Sequence, residues 1–190
     1  WYAASTGGAS IGTGTSFTTP VINASTTYYV GAAITGSANT ATIGTGTSLT
    51  GATSQPTAFC NRWSSYRMQY IYTAAELTAA GFGAGNIQSI GFNINTLGDG
   101  ADNANFTVKI GNTALTSYSA FVNTGLSTVF GPATYTHTAS GLQTILLTTP
   151  FAWDGISNII VEVSHDGAND INNAETYYTT TVTAMGGWCT

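Results

Sequence analysis

Apolar and polar residues alternate with a period of two at several places along the chain. Ile90, Phe92 and Ile94 fall on one side of a strand, with Gly91, Asn93 and Asn95 on the other. Phe106, Val108 and Ile110 oppose Asn105, Thr107 and Lys109 in the same way, and Ile159, Val161 and Val163 oppose Glu162 and Ser164. Further β runs are predicted at 66–72, 114–121, 127–131, 143–148 and 176–182. One helical turn interrupts them. Thr73-Ala74-Ala75-Glu76 is a capping box ahead of Leu77, Ala79 and Ala80, and Gly81 stops the helix. Short strands with one small helix predict an all-β chain whose main domain, residues 40–190, is a jelly-roll β-sandwich.

The residues before that domain follow a different plan. The phrase Ile11-Gly12-Thr13-Gly14-Thr15-Ser16-Phe17-Thr18 returns as Ile43-Gly44-Thr45-Gly46-Thr47-Ser48-Leu49-Thr50. The echo marks either a duplication or one local β solution used twice. Residues 1–33 are expected to form a partial immunoglobulin-like β unit with short strands at 1–4, 9–12, 16–21 and 26–30. The stretch 31–39 is rich in Gly, Ser, Ala and Asn, which makes 34–39 the expected linker. Some thirty residues are too few to close a core around Trp1, Tyr2, Phe17, Tyr28 and Tyr29.

Composition narrows the function classes. Only 6% of the 190 residues are charged, against about a quarter in ordinary soluble domains, while 12% are aromatic. A disordered chain would show the reverse balance. The net charge is −5, and the three basic residues, Arg62, Arg67 and Lys109, cannot neutralise a phosphate track, so no nucleic-acid partner is expected. Thr, Ser, Gly and Asn stand where a helical bundle would carry Leu, Glu, Lys and Ala. No apolar run approaches the eighteen or so residues of a membrane helix, and no membrane insertion is expected. A chain that opens at Trp1 without Met reads as a mature fragment or repeat of a longer processed product.

Two stretches carry a resemblance. Trp1-Tyr2-Ala3-Ala4-Ser5-Thr6-Gly7-Gly8, the phrase Gly12 to Pro20 and Thr26-Thr27-Tyr28-Tyr29-Val30 resemble the middle and end of bacterial immunoglobulin-like modules. These occur in tandem in giant secreted adhesins of gliding and environmental bacteria. The strands that open the family's module, ahead of its Trp, have no counterpart in this sequence. Gln69-Tyr70-Ile71-Tyr72-Thr73-Ala74-Ala75-Glu76-Leu77 and Thr149-Pro150-Phe151-Ala152-Trp153-Asp154-Gly155 look like a jelly-roll module of the same surface proteins. The resemblance implies extracellular or cell-surface display and adhesion or fibre building, without catalysis.

Candidate chemistry is sparse. Ser164, His165 and Asp166 are adjacent on a strand, where neighbours point to opposite faces, and no nucleophile elbow accompanies them; a solvated strand end is the expectation. His137 is expected at an exposed position. Asp99 with Asp102, and Asp166 with Asp170, place oxygen ligands on glycine-turned loops, which suits either calcium or plain Asx turns. Calcium is the one cofactor considered. Cys60 and Cys189 are expected to form a disulfide that closes a long loop, with free buried thiols as the alternative. Trp63, Tyr66, Tyr70, Trp153, Tyr177, Tyr178 and Trp188 serve either a sugar-stacking platform or packing. The sequons at Asn23 and Asn105 permit N-glycans where the machinery exists.

The expected function is that of a structural subunit of an extracellular filament or adhesin, a homopolymer built head-to-tail by β-strand complementation. Its interface is expected at Trp1, Tyr2, Phe17, Tyr28 and Tyr29. A carbohydrate-binding module with glycan partners is the alternative.

Overall fold

The computed structural model describes residues 1–5, 9–13, 16–30, 40–44, 46–53, 57–62, 64–99, 102–167, 171–179 and 183–188. The chain divides into two compact units, Trp1–Asn39 and Thr40–Thr190.

Among the described residues, the second unit comprises β1 (Ser48–Leu49), β2 (Ser65–Tyr72), α1 (Ala74–Ala79), β3 (Gly85–Thr96), β4 (Asp102–Thr113), β5 (Ser127–Thr136), β6 (Gly141–Trp153), β7 (Asn158–Gly167), β8 (Glu175–Tyr178) and β9 (Thr183–Trp188). One sheet has the order β1-β8-β3-β6 and the other β5-β4-β7-β2-β9, with every ladder antiparallel. The pairs β4·β5, β3·β6, β2·β7 and β1·β8 nest inside one another. They describe one long hairpin, closed between β4 and β5 and rolled into two facing sheets, which is the jelly-roll wind. β9 joins the edge beside β2.

The alternation seen in the sequence decides which faces meet. Ile94, Ile145 and Leu147 of one sheet and Phe106, Val108, Ile110, Ile159, Val161 and Val163 of the other form a single buried cluster. Burying each of these is worth roughly 1.5–3 kcal/mol. Phe59, from the segment before β2, closes one end of this core against Phe106 and Tyr135, at centroid distances of 5.9 and 5.7 Å. In β3 the ladder shifts between Ile87 and Ser89, so Ile87 and Ile90, three apart, both pack on the core. Pro150 falls in the corresponding irregular stretch of β6, an edge strand that can lack a ladder donor.

The capping box forms as predicted: the Thr73 hydroxyl accepts from Glu76 N–H at 3.2 Å, and Thr73 N–H donates to the Glu76 carboxylate at 2.8 Å. Leu77 is the residue of α1 that is buried. Between β6 and β7, Asp154 accepts from the Ile156 and Ser157 N–H groups at 3.0 and 2.8 Å. Gly155 there takes φ 81°, with Ala84 so close that a side chain would collide. Among the described residues no helix is long and apolar enough to cross a membrane.

Three local expectations change. Residues 114–121 are not a strand; 114–126 form a strap between β4 and β5. His137 is fully buried rather than exposed. It sits 5.0 Å from the Phe59 ring, and its two nitrogens are matched to Asn103 and the Leu97 carbonyl, both at 3.3 Å. His165 is buried too, because β7 continues to Gly167 between β2 and β4 and so carries it under cover.

In the first unit the expected strands are reduced to one isolated antiparallel bridge, Tyr2↔Tyr29, among the described residues. Two backbone hydrogen bonds make it, at 2.8 and 2.9 Å. A strand is defined by its partner, and these segments have few partners to pair with.

Candidate functional site

Residues 43, 44 and 46–50 fill a strand slot beside β8. Ser48 and Leu49 pair with Tyr178 and Tyr177. Thr50 extends the pairing: its N–H donates to the Thr176 carbonyl at 3.0 Å, and its hydroxyl accepts from Thr176 N–H at 2.8 Å. Upstream, Ile43 packs against the main core. Gly46 lies so close to β8 that a Cβ would stand 1.9 Å from the Tyr178 carbonyl oxygen, and Gly44 has φ 89° with Thr179 beside it. Only glycine fits both places. Leu49 stays exposed on the rim. The strand is thus two ladder residues long, at a sheet edge, with its fit set by two glycines, one Ile and one Thr.

The aromatic residues of the first unit do gather. Phe17 stacks on Trp1 at 5.8 Å and tilts against Tyr28 at 5.3 Å, while Tyr2 and Tyr29 form the bridge. None of the described residues of this unit is buried. Trp1, Tyr2, Phe17 and Tyr28 are half-covered, and Tyr29, Ile11, Ile22, Val30 and Val21 are exposed, Val21 to 88%.

A polar network lies on the outer face of the five-stranded sheet, under the strap. Glu162 of β7 is buried and receives Arg67 Nε at 2.7 Å, Gln69 Nε2 at 2.6 Å and Lys109 Nζ at 3.1 Å. Burial works against its charge, but the hydrogen bonds from Gln69, Arg67 and Lys109 and the Arg67 charge outweigh it and hold the carboxyl below its usual range. Arg67 also donates to the Val122 carbonyl and to Asn123 Oδ1, and its guanidinium lies 4.7 Å from the Phe121 ring centroid. Two of the chain's three cations, Arg67 and Lys109, are spent on Glu162, and Arg67 also holds the strap. The alternation had marked Glu162 as outward-facing; the strap that covers it left no separate signal.

The remaining candidates separate. Asp99 accepts from Asn172 Nδ2 at 2.9 Å, Asp102 from the Thr136 hydroxyl at 2.6 Å, and Asp166 from Ser65 and Asn105 at 3.3 and 2.9 Å. Asp170 lies outside the described residues, among which no three His, Cys, Asp or Glu side chains meet as a metal set. Asn23 is exposed. Asn105 is exposed at a bulge with φ 51°, its amide nitrogen engaged with Asp166. Cys60 is buried with a free thiol beside Tyr66 and Met68, and burial pushes that thiol up to about 11. Cys189 lies outside the described residues. Of the aromatic platform candidates, Tyr66 and Trp153 are buried, Trp153 donating to the Ser157 carbonyl at 2.8 Å, and Tyr70 packs against Phe92. Tyr177 and Tyr178 are exposed on β8, while Trp63 and the side chain of Trp188 lie outside the described residues.

Residues 1–50 match the family model described as Ig-like domain, CHU_C associated. Over that span the chain is similar to a bacterial immunoglobulin-like module, of a kind typical of secreted and surface proteins. The match contains both copies of the repeated phrase and runs past Asn39, so its last part belongs structurally to the second unit. No curated protein and no solved structure matches the chain.

Proposed function

We propose that the protein is a non-catalytic structural subunit of an extracellular filament or surface adhesin, joined head-to-tail to copies of itself by β-strand complementation. The observation that carries this reading is the first unit, whose described residues include five aromatics and several exposed aliphatics but no buried residue. Exposed apolar surface and unpaired extended backbone of this kind are a liability unless another segment covers them. A heterologous contact with a neighbour does so and propagates. The low charge weakens repulsion between stacked subunits. Of the buried ionisable groups, Glu162 and His137 have their polar atoms matched to other parts of the fold. His165 packs between the Phe106 and Tyr66 rings with no hydrogen-bonded hydroxyl or carboxylate among the described residues. Negative-stain microscopy of the native material tests the reading: filaments are expected, and dispersed particles at all concentrations overturn it.

A lectin-like role has one observation in its favour. Tyr177 is exposed beside Asn95, to which its hydroxyl donates at 3.0 Å, and Asn95 in turn contacts Glu175 at 3.3 Å. Saturable glycan binding by dispersed monomers, lost in Tyr177→Ala, would select this reading instead.

A further inference from the structure

We propose that the strand slot on β8 is exchangeable, and that its second occupant is the phrase 11–18 of another copy of the chain. The inference rests on the assembly reading above and names the donor and acceptor of the contact.

The argument is a position-by-position match. The slot uses Ile43 for the core, Gly44 for a left-handed backbone, Gly46 for close approach to Tyr178, Ser48 for the ladder and Thr50 for the two bonds to Thr176. The phrase 11–18 carries Ile11, Gly12, Gly14, Ser16 and Thr18 at the same five places, and seven of its eight residues are identical to those of 43–50. The one difference, Phe17 for Leu49, falls where the occupant is exposed on the rim. Leu49 stands opposite Tyr177, so Phe17 in its place would set an aromatic pair across the ladder.

The donor is held lightly. Ile11, Ser16 and Thr18 are exposed, and the Tyr2↔Tyr29 bridge does not use them. Ile11 N–H donates to the Trp1 carbonyl at 2.9 Å, the Gly12 carbonyl accepts from the N-terminal ammonium at 2.7 Å, and Phe17 lies against Trp1 and Tyr28. The phrase gives up these contacts on leaving. The resident strand is the weaker side of the exchange, with two ladder pairs at a sheet edge. Exchange trades like contacts for like, which is why swapping an identical element is a low-cost route to association. The Phe17–Tyr177 pair offsets the ring contacts with Trp1 and Tyr28 that Phe17 gives up, an offset the resident Leu49 cannot make.

The test mixes two full-length single variants, Ser16→Cys and Tyr178→Cys, under mild oxidation, with microscopy and peptide mapping of the same sample. A full-length Ser48→Cys/Tyr178→Cys double variant reports the resident strand. Expected are filaments containing a covalent 16–178 peptide, which can arise only between chains. Filaments without that peptide, alongside a 48–178 link in the double variant, overturn the exchange and leave the assembly reading standing. Dispersed particles without the link overturn both. Leu49→Phe gives a readout free of cysteines. It makes the two phrases identical, so the concentration for half-maximal assembly should rise severalfold, and an unchanged value overturns the exchange.

Discussion

The side-chain amide of Gln69 pairs with the backbone of Val122 in both directions. Its Nε2 donates to the Val122 carbonyl at 2.7 Å, and its Oε1 accepts from Val122 N–H at 2.9 Å. A side chain on β2 thus satisfies the strap's backbone as a neighbouring strand would, while the same Nε2 holds Glu162.

Gln69→Leu should release the strap. It leaves the Val122 N–H and one acceptor site of Glu162 without their partner, while the Val122 carbonyl keeps Arg67, at a cost of roughly 2–4 kcal/mol. Urea denaturation reads the loss, and faster amide exchange at Val122 should accompany it. Unchanged exchange there would show that the strap is held by something else.

Glu162→Gln should cost about 3 kcal/mol at neutral pH, because Arg67 and Lys109 lose the charge they surround. The folded carboxyl is held below its ordinary value, so its contribution is full above that value and disappears as pH falls through the depressed one. Wild-type stability should therefore decline below about pH 4.5 more steeply than that of the variant. Parallel curves would remove Glu162 from the account of acid sensitivity.

His165 titrates in a higher window. It stacks on Phe106 at 6.1 Å and tilts against Tyr66 at 6.3 Å, and neither ring nitrogen has a hydrogen-bond partner among the described residues. Burial depresses it to about 4, against an upward pull from Asp166 and a further downward push from His137. The unfolded chain takes up the proton first, so stability is full above about pH 6.5 and falls between there and pH 4, by about 3 kcal/mol in all. His165→Phe should flatten the urea midpoint across that window. A slope that survives the change would point to another group.

These residues show how far the sequence could be read. The jelly roll was legible because strands packed on one face leave a period of two, and α1 because Thr73 and Glu76 name both halves of a capping box. The strap was not: 114–121 alternates like a strand, and only the placement of Gln69 and Arg67 on β2 shows what it lies against. His137 and His165 looked solvated because a polar residue carries no sign of the rings that cover it. In the first unit the shortage of core was legible from length, but the loss of ladders was not, since extended segments look like strands whether or not they have partners. The slot fit of 43–50 was visible as a repeat, and its meaning came from β8.

Cys60 and Cys189 are expected to form a disulfide under oxidising conditions. Trp188, one residue before Cys189 in sequence, stands opposite Tyr66 in the β2·β9 ladder, and Tyr66 packs beside Cys60. A linked peptide should be recovered after denaturation without reductant, with the bridge worth roughly 4–5 kcal/mol for so long a loop. Two thiols that alkylate on unfolding alone would show that the pair stays reduced, with Cys60 shielded in the native state by its burial.

The final prediction separates the two units. Every residue of the main buried cluster lies between Ala58 and Ala174, and the ladders that carry it run from β1 to β9. Among the described residues none of that cluster comes from residues 1–33, so their deletion should leave the stability of the sandwich in urea within about 1 kcal/mol of the full chain. The same deletion removes Trp1, Tyr2, Phe17, Tyr28 and Tyr29, together with one copy of the repeated phrase. If the first unit makes the joint, the truncated protein should sediment as a monomer at concentrations where the full chain forms filaments. Purified residues 40–190 added to full-length protein should also cap growing ends, because they offer the slot on β8 without the 11–18 phrase that the first unit passes on. Filament length should then fall as the ratio of truncated to full chain rises. A truncated protein that polymerises as readily as the full chain would place the joint on the sandwich itself.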